Sequence, residues 1–272
     1  MEPKKVLFIT QEIAPYVAST PLSELSIRVP AAVTEAGHDI RIFTPCYGTI
    51  NERRNQLHDV IRLSGINIIV NDSDHPLIVK VASMQDGSRL QVYFVDNDEF
   101  FKRKSRFKAD PKYPNSNMER SVFFIRSVFE AVKTLRWRPD IIHCFGWFSA
   151  PALLYLKNMY ADDPYFGKAK TIYSTWSGEE RAPIGDNWRE VLEFDKADKK
   201  GLQILEERPN VEGLQQLGYA YADGGSLIGG DDATRELIAP YTNALSHPLI
   251  EEAETAEGVS SAYAALYEHL FA

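Results

Sequence analysis

His143 is the side chain in this sequence best placed to do chemistry. It closes a short apolar run, residues 140–143, and Cys144, Phe145, Gly146 and Trp147 follow at once. An imidazole at the end of a buried strand can hold a ligand or exchange a proton near neutral pH. It can equally be a core histidine with both nitrogens satisfied inside the fold, and the sequence leaves the two readings level. The adjacent Cys144 would point to the opposite face of the strand, so the pair cannot share a ligand. The remaining histidines, His38, His58, His75, His247 and His269, are scattered, with no His or Cys at the short spacing of a zinc site. Two cysteines, Cys46 and Cys144, are too few for a Cys₄ centre or a disulfide framework and fit reduced thiols. No metal and no cofactor is therefore expected. No GxGxxG and no GxxxxGK[ST] occurs. The glycine pairs Gly224-Gly225 and Gly229-Gly230 bracket three residues and fit two tight turns around a short strand better than a phosphate cradle. Trp147, Trp176 and Trp188 have faces that could stack on sugar rings, although core packing is the commoner use of any one of them.

The elements that must position these residues alternate along the chain. Residues 6–10 form a continuous apolar run, as in a strand buried on both faces. Thr20 and Pro21 make a helix start, as N-cap and first helical residue. Leu22, Leu25, Val29 and Val33 follow at helical spacing, Pro30 predicts a kink, and Gly37 is a natural stop. Residues 40–44 form the next strand, which completes a βαβ unit and starts a parallel sheet. Residues 66–70, 77–82 and 90–95 read as three strands with no helix between them, separated by turn signals at 71–74 and at Asp86-Gly87, so a hairpin or meander is inserted here. Met118, Val122, Ile125, Phe129 and Val132 form a helical stripe. Further strands are expected at 140–143, 170–174 and 226–228, and further helices at 148–160, 211–221 and 250–271. The expected class is α/β, one doubly wound domain with a β-hairpin insertion near residues 65–95. Ligands of such sheets bind at the carboxyl ends of the strands, where the strand order reverses. The loops concerned are residues 11–20, 45–50, 143–148 and 175–178.

Composition narrows the partners. Of 272 residues, 44% are hydrophobic, enough to exclude disorder as the dominant state. Thirty Lys and Arg against 38 Asp and Glu give a net charge of −8, which is the wrong sign for a nucleic-acid binder or for an anionic membrane surface. The basic run Lys102, Arg103, Lys104, Arg106, Lys108 reads as a solvated loop. The N-terminal apolar run is too short for a signal peptide, and no stretch is long and unbroken enough to span a bilayer. A cytoplasmic location is expected.

Several ordered segments resemble the bacterial glycogen and starch synthases, the ADP-glucose-dependent α-1,4-glucan glucosyltransferases. The opening Lys5-Val-Leu-Phe-Ile-Thr-Gln-Glu12-Ile-Ala-Pro15-Tyr-Val is similar to the start of those enzymes. Val29-Pro30-Ala31-Ala32, Gly37-His38-Asp39-Ile40-Arg41 and Thr44-Pro45-Cys46-Tyr47 resemble their second block. Val92-Tyr93-Phe94-Val95-Asp96, Asn117-Met118-Glu119-Arg120, and Pro139-Asp140-Ile141-Ile142-His143 with Trp147 continue the series over about the first 160 residues. The later chain is similar only loosely, around Tyr221-Ala222-Asp223. The resemblance implies a Rossmann-like domain, one half of a GT-B architecture, with Glu24, His143 and Trp147 as substrate-binding residues. Family enzymes pair two such domains across a cleft. Residues 1–272 are expected to form the acceptor-side domain alone, with the donor-binding domain absent.

The departures bear on activity. The family's first loop carries Lys-Thr-Gly-Gly-Leu, whose lysine and amides meet the donor phosphates, where this sequence has Ala18-Ser19-Thr20-Pro21-Leu22. Ala18 has no ammonium, and Pro21 has no N–H to donate. In the family's His-x-His-Asp-Trp-His motif, Phe145, Gly146 and Phe148 replace the second histidine, the aspartate and the last histidine. The later His-Asn pair is Trp176-Ser177. No catalytic residue is assigned. Aromatic replacements in the cleft imply that it is closed over or serves as a protein contact patch. Three functions are weighed, in this order: a catalytically inactive relative that binds α-glucan or a protein partner; an active ADP-glucose transferase, completed by another chain; and an unrelated small-molecule binder on the same superfold.

Overall fold

The computed structural model describes residues 2–84, 90–255 and 258–270. The turn expected at Asp86-Gly87, and Phe271, lie outside them. Among the described residues the strands are β1 (Lys5–Thr10), β2 (Asp39–Pro45), β3 (His58–Asp59), β4 (Asn67–Val70), β5 (Ser73–Pro76), β6 (Ile78–Ser83), β7 (Gln91–Asp96), β8 (Ile141–Phe145), β9 (Lys170–Trp176), β10 (Gly224–Ile228) and β11 (Ile250–Glu252). The helices are α1 (Pro21–Glu35), α2 (Asp98–Phe101), α3 (Asn117–Thr134), α4 (Pro151–Lys157), α5 (Trp188–Phe194), α6 (Lys199–Glu207), α7 (Val211–Tyr221), α8 (Asp232–Thr242) and α9 (Ser261–His269).

One sheet runs β11-β10-β9-β8-β1-β2-β7-β6-β3. The strands from β11 to β7 pair parallel, and β6 and β3 close one edge antiparallel. From β1 the chain winds outward one way through β2 and β7, then returns to β8 on the other side of β1. The order therefore reverses between β1 and β8, as a doubly wound fold requires. Val6, Leu7, Phe8 and Ile9 are wholly buried, which is why β1 reads as an unbroken apolar run. The insertion is real but divided. β4 and β5 form a separate two-stranded hairpin, whereas β6 joins the main sheet against β7.

Local chemistry sets the ends of α1. Thr20 Oγ1 accepts from the Ser23 amide at 3.0 Å and Ser23 Oγ accepts from the Thr20 amide at 2.9 Å, a reciprocal cap that uses serine in place of glutamate. The helix continues through Pro30 and stops where Gly37 takes φ +91°. There Gly37 donates to Thr34 O at 2.9 Å and His38 to Val33 O at 3.2 Å, the paired bonds of a Schellman end. Ser116 and Glu119 cap α3 in the same reciprocal way. The segment expected as a helix from residue 148 is a 3₁₀ turn at Trp147–Ser149 followed by α4. The C-terminal segment is not one helix: Ile250–Glu252 adds a parallel edge strand to β10, and among its described residues only Ser261–His269 is helical. Among the described residues no helix is long and apolar enough to cross a membrane.

Candidate functional site

The carboxyl ends of β1 and β8 meet at the switch point, and their two loops lock together there. Gln11 N donates to Phe145 O at 3.1 Å, and Phe148 N donates to Gln11 Oε1 at 2.9 Å. Tyr47, just after β2, donates from its hydroxyl to Gln11 O at 2.8 Å. Gly146 sits between them at φ +82° and ψ 162°, a conformation open essentially to glycine alone. A Cβ there would lie 2.2 Å from Gln11 Cδ.

The next residue, Glu12, is buried at the mouth of the first loop. One carboxylate oxygen takes the Thr20 hydroxyl and the other takes the Arg106 guanidinium. A second carboxylate, Glu180, stands 3.6 Å from Arg106. Ala18 is exposed and brings no charge, Pro21 opens α1, and Glu24 receives a hydrogen bond from Ser19 Oγ at 2.7 Å. The cation at this mouth thus comes from the basic run rather than from the first loop. Of that run Lys104 and Lys108 are exposed, as a solvated loop requires, and the other three are not. Arg103 is 3% exposed and donates to Tyr113 O at 2.7 Å and to Asn115 O, while Lys102 pairs with Glu52 at 2.8 Å. Lys102, Arg103 and Arg106 hold the segment in place through carbonyls and carboxylates elsewhere in the chain.

His143 lies in the interior, with both ring nitrogens near hydroxyls. It is wholly buried, with Nδ1 2.7 Å from the Tyr267 hydroxyl and Nε2 2.7 Å from Ser174 Oγ. The hydroxyls of Ser226 and Tyr263 extend this chain at 2.6 and 2.7 Å. Burial pushes the imidazole down to about 3, which favours its neutral form. Phe145 stacks on the His143 ring at 4.1 Å. Trp147 is also wholly buried, against Phe107 at 4.8 Å, and Phe107 packs on Phe148 at 5.6 Å. Neither Phe145 nor Phe148 faces an open cleft. Phe145 packs on Phe8 at 6.1 Å as well as on His143, and Phe148 lies under Phe107 and beside Phe124. Trp188 is buried, and Trp176 is tied through its indole N–H to Glu254 at 2.6 Å.

Sequence reasoning missed Glu179. This carboxylate, 6% exposed, receives the amides of Trp147 at 2.9 Å and Trp176 at 3.1 Å, and Gln215 Nε2 at 3.3 Å. It joins the loops after β8 and β9 to α7. Burial pushes its carboxyl up to about 7, aided by the charge of Glu12 and opposed by the three donors. A raised carboxyl binds its proton more tightly in the folded state. Its stabilisation is present below the ordinary glutamate range and is lost as pH rises through about 7. Relative to Glu179→Gln, the parent should lose about 1–3 kcal/mol of unfolding free energy between pH 4.5 and 7.5. A difference that stays flat across urea titrations over that range would contradict this assignment. A cavity of about 400 Å³ opens beside Glu179, but the arginines in its wall, Arg181 and Arg208, are both engaged by Glu212, at 3.0 and 3.3 Å.

Both cysteines are free and buried. Ligand atoms of Cys46, Glu52 and Asp96 lie within 4.8 Å of one another. The Lys80 ammonium already sits 2.6 Å from Asp96 and 2.7 Å from Glu52, with Lys102 alongside, so the carboxylate charge there is balanced. Burial pushes the Cys46 thiol up to about 12, which keeps it protonated.

Comparison with known proteins bears on these positions. A family profile described as the starch synthase catalytic domain matches residues 5–226. The glycogen synthase of Chlorobium limicola is 39% identical over 173 residues, and that of Chlorobium chlorochromatii 40% over 175. Each alignment takes in 62% of this chain and 35% of the relative, so the matched part spans about a third of those enzymes. The catalytic domain of starch synthase IV from Arabidopsis thaliana, bound to ADP and acarbose, superposes with a TM-score of 0.72 at 16% identity, over 93% of this chain and 52% of that one. That likeness gives the fold, one Rossmann-like half of a GT-B pair. The profile match over residues 5–226 sets aside an unrelated binder on the same superfold: the chain belongs to the starch synthase catalytic domain family.

Proposed function

We propose that this chain is a glucan-binding or partner-binding member of the family and not a transferase, and that residues 1–272 act as one acceptor-side domain. The carrying observation is the pairing of Arg106. A donor diphosphate at the first loop would meet no cation at Ala18 and would have to compete with Glu12 and Glu180 for the guanidinium. Glycosyl transfer from a nucleotide sugar depends on positive groups placed where the leaving phosphate gathers charge. Here that place carries more negative than positive charge. The α1 N-terminus offers little compensation, since Pro21 has no N–H and the Ser23 amide is held by Thr20. Phe145, in the family's histidine position, can neither donate nor accept. Glu24, half-buried at the loop, is the side chain there suited to accept a sugar hydroxyl. His143 and Trp147 support the site from beneath and do not touch ligand. The neighbour bound to ADP and acarbose lends weight to a saccharide ligand. The expected result is no glucan-dependent release of ADP from ADP-glucose by this chain above background. Release that disappears on Glu24→Ala would establish the alternative, an active ADP-glucose transferase.

A further inference from the structure

His247 and His269 meet on the surface, with ring centroids 5.4 Å apart and ring planes at 63°. No sequence spacing joins them: His247 stands in the loop before β11, and His269 closes α9. The backbone fixes each ring through one nitrogen. His247 Nδ1 lies 2.9 Å from Pro248 O, and His269 Nε2 lies 2.8 Å from Ser246 O. A carbonyl oxygen only accepts, so each of these nitrogens carries a proton and donates. In the neutral ring the other nitrogen, Nε2 of His247 and Nδ1 of His269, then holds a lone pair. One N–H tied to a carbonyl and the other nitrogen left as a donor of electrons is the arrangement of a metal-ligating histidine. The separation agrees with a shared ion. At metal–nitrogen distances of about 2.1 Å and a tetrahedral angle, two ligating imidazoles have centroids about 5.3 Å apart. Both supports are themselves held. Ser246 donates from its amide and its hydroxyl to Asp223 O, at 3.0 and 2.5 Å, which rests the loop on the start of β10. Tyr263, Leu266, Tyr267 and Leu270 are buried and seat α9 against the domain. The ligand pair is therefore preformed, and little ordering is needed when an ion arrives.

We propose that His247 Nε2 and His269 Nδ1 chelate one divalent transition-metal ion of the imidazole-preferring kind, zinc or copper(II), with water completing its coordination. The bound ion clamps α9 to the loop before β11. Tyr263 and Tyr267 carry that clamp inward, through their bonds to Ser226 and His143. The site is independent of the glucan reading. The test is calorimetric titration of the whole chain with Zn²⁺, and with Mg²⁺ as the hard-cation control. It is run on the parent, on His247→Ala and His269→Ala, and on His58→Ala, an exposed histidine at the opposite edge of the sheet. The parent and His58→Ala should each bind one Zn²⁺ per chain with the same affinity, either pair variant should bind at least about tenfold more weakly, and Mg²⁺ should give no heat. Zinc at a hundredfold excess over Kd should raise the unfolding midpoint of the parent by about 5 °C and leave that of the pair variants unmoved. Near-ultraviolet circular dichroism matching the parent's establishes that the variants are folded. With Cu²⁺, the parent's electron paramagnetic resonance spectrum should show coupling to imidazole nitrogen, and each pair variant should lose it. Zinc that binds the pair variants as tightly as the parent, or does not saturate the parent at all, overturns the proposal. An equal loss in His58→Ala overturns it too, since the ion is then held by surface histidines at large.

Discussion

Gly146→Asp, which restores the residue the resemblance places here, should lower the unfolding midpoint of this chain by roughly 10 °C. Holding a non-glycine residue at φ +82° and ψ 162° costs about 1–3 kcal/mol. The new Cβ would also lie 2.2 Å from Gln11 Cδ, so the glutamine would have to leave. Its bond to the Phe148 amide would go with it, leaving a buried donor unpaired at a further cost of about 1–3 kcal/mol. The sum, about 2–6 kcal/mol, corresponds to roughly 10 °C at its middle for a domain of this size. Gly65→Asp is the control. It also has positive φ, +85°, but nothing within 4 Å of its Cβ, and it should cost only about 1 kcal/mol. A Gly146→Asp protein melting within 2 °C of the parent, in a calorimetric scan resolving about 1 °C, would mean that Gln11 is not locked to this loop. The glycine is thus more than a lost aspartate, because its backbone and Gln11 have become one interlocked unit.

Arg120→Met should destabilise the chain by about 3 kcal/mol. Arg120 is wholly buried without a carboxylate partner. Its Nε donates to Phe100 O at 2.5 Å, and its Nη1 to Arg106 O at 2.7 Å and Asn117 Oδ1 at 2.6 Å. The guanidinium lies over the rings of Phe101 and Phe148, at 5.5 and 5.8 Å. Burial pushes it down to about 9, yet it keeps its charge at neutral pH. Methionine fills much of the same volume but strands three acceptors, at about 1 kcal/mol or more each. Relief of the buried charge offsets part of that cost, since Nη2 has no partner. The acceptors outweigh it because they hold the backbone at Phe100 and Arg106, and with them the segment whose Phe107 packs on Trp147 and Phe148. Lysine offers one ammonium for three acceptors and should cost nearly as much. Urea unfolding reads both variants. A methionine variant as stable as the parent would show that the cation is a net burden, with some other gain keeping the segment in place.

What could be read from the chain followed from local signals. The unbroken run of β1, the Thr20-Pro21 start of α1 and the helix-free stretch before β7 each carry their signature within a few residues, and each is found. The parallel α/β order follows from their alternation. What could not be read depends on partners far away in sequence. His143 was an even choice because its fate rests on Ser174 and on Tyr267, 124 residues on. Arg106 looked solvated because Glu12 lies 94 residues back. Phe148 reads as exposed because Phe107, inside the supposed loop, is what packs on it, and Phe145 because its neighbour Phe8 lies far back in the chain, on β1. The edge strand β11 has only three residues, too few for a period to show. Glu179 carries no spacing signal, because its donors are backbone amides of two other loops.

The central claim is that this domain keeps a saccharide ligand and has lost the donor phosphate. One preparation decides it, run by affinity electrophoresis in glycogen-containing gels and titrated in parallel with ADP-glucose in the presence and absence of glycogen. The account predicts retardation that grows with glycogen concentration, no saturable heat with ADP-glucose and no glucan-dependent ADP release. Saturable ADP-glucose binding with glucan-dependent release of ADP, or migration indifferent to glycogen, would contradict it.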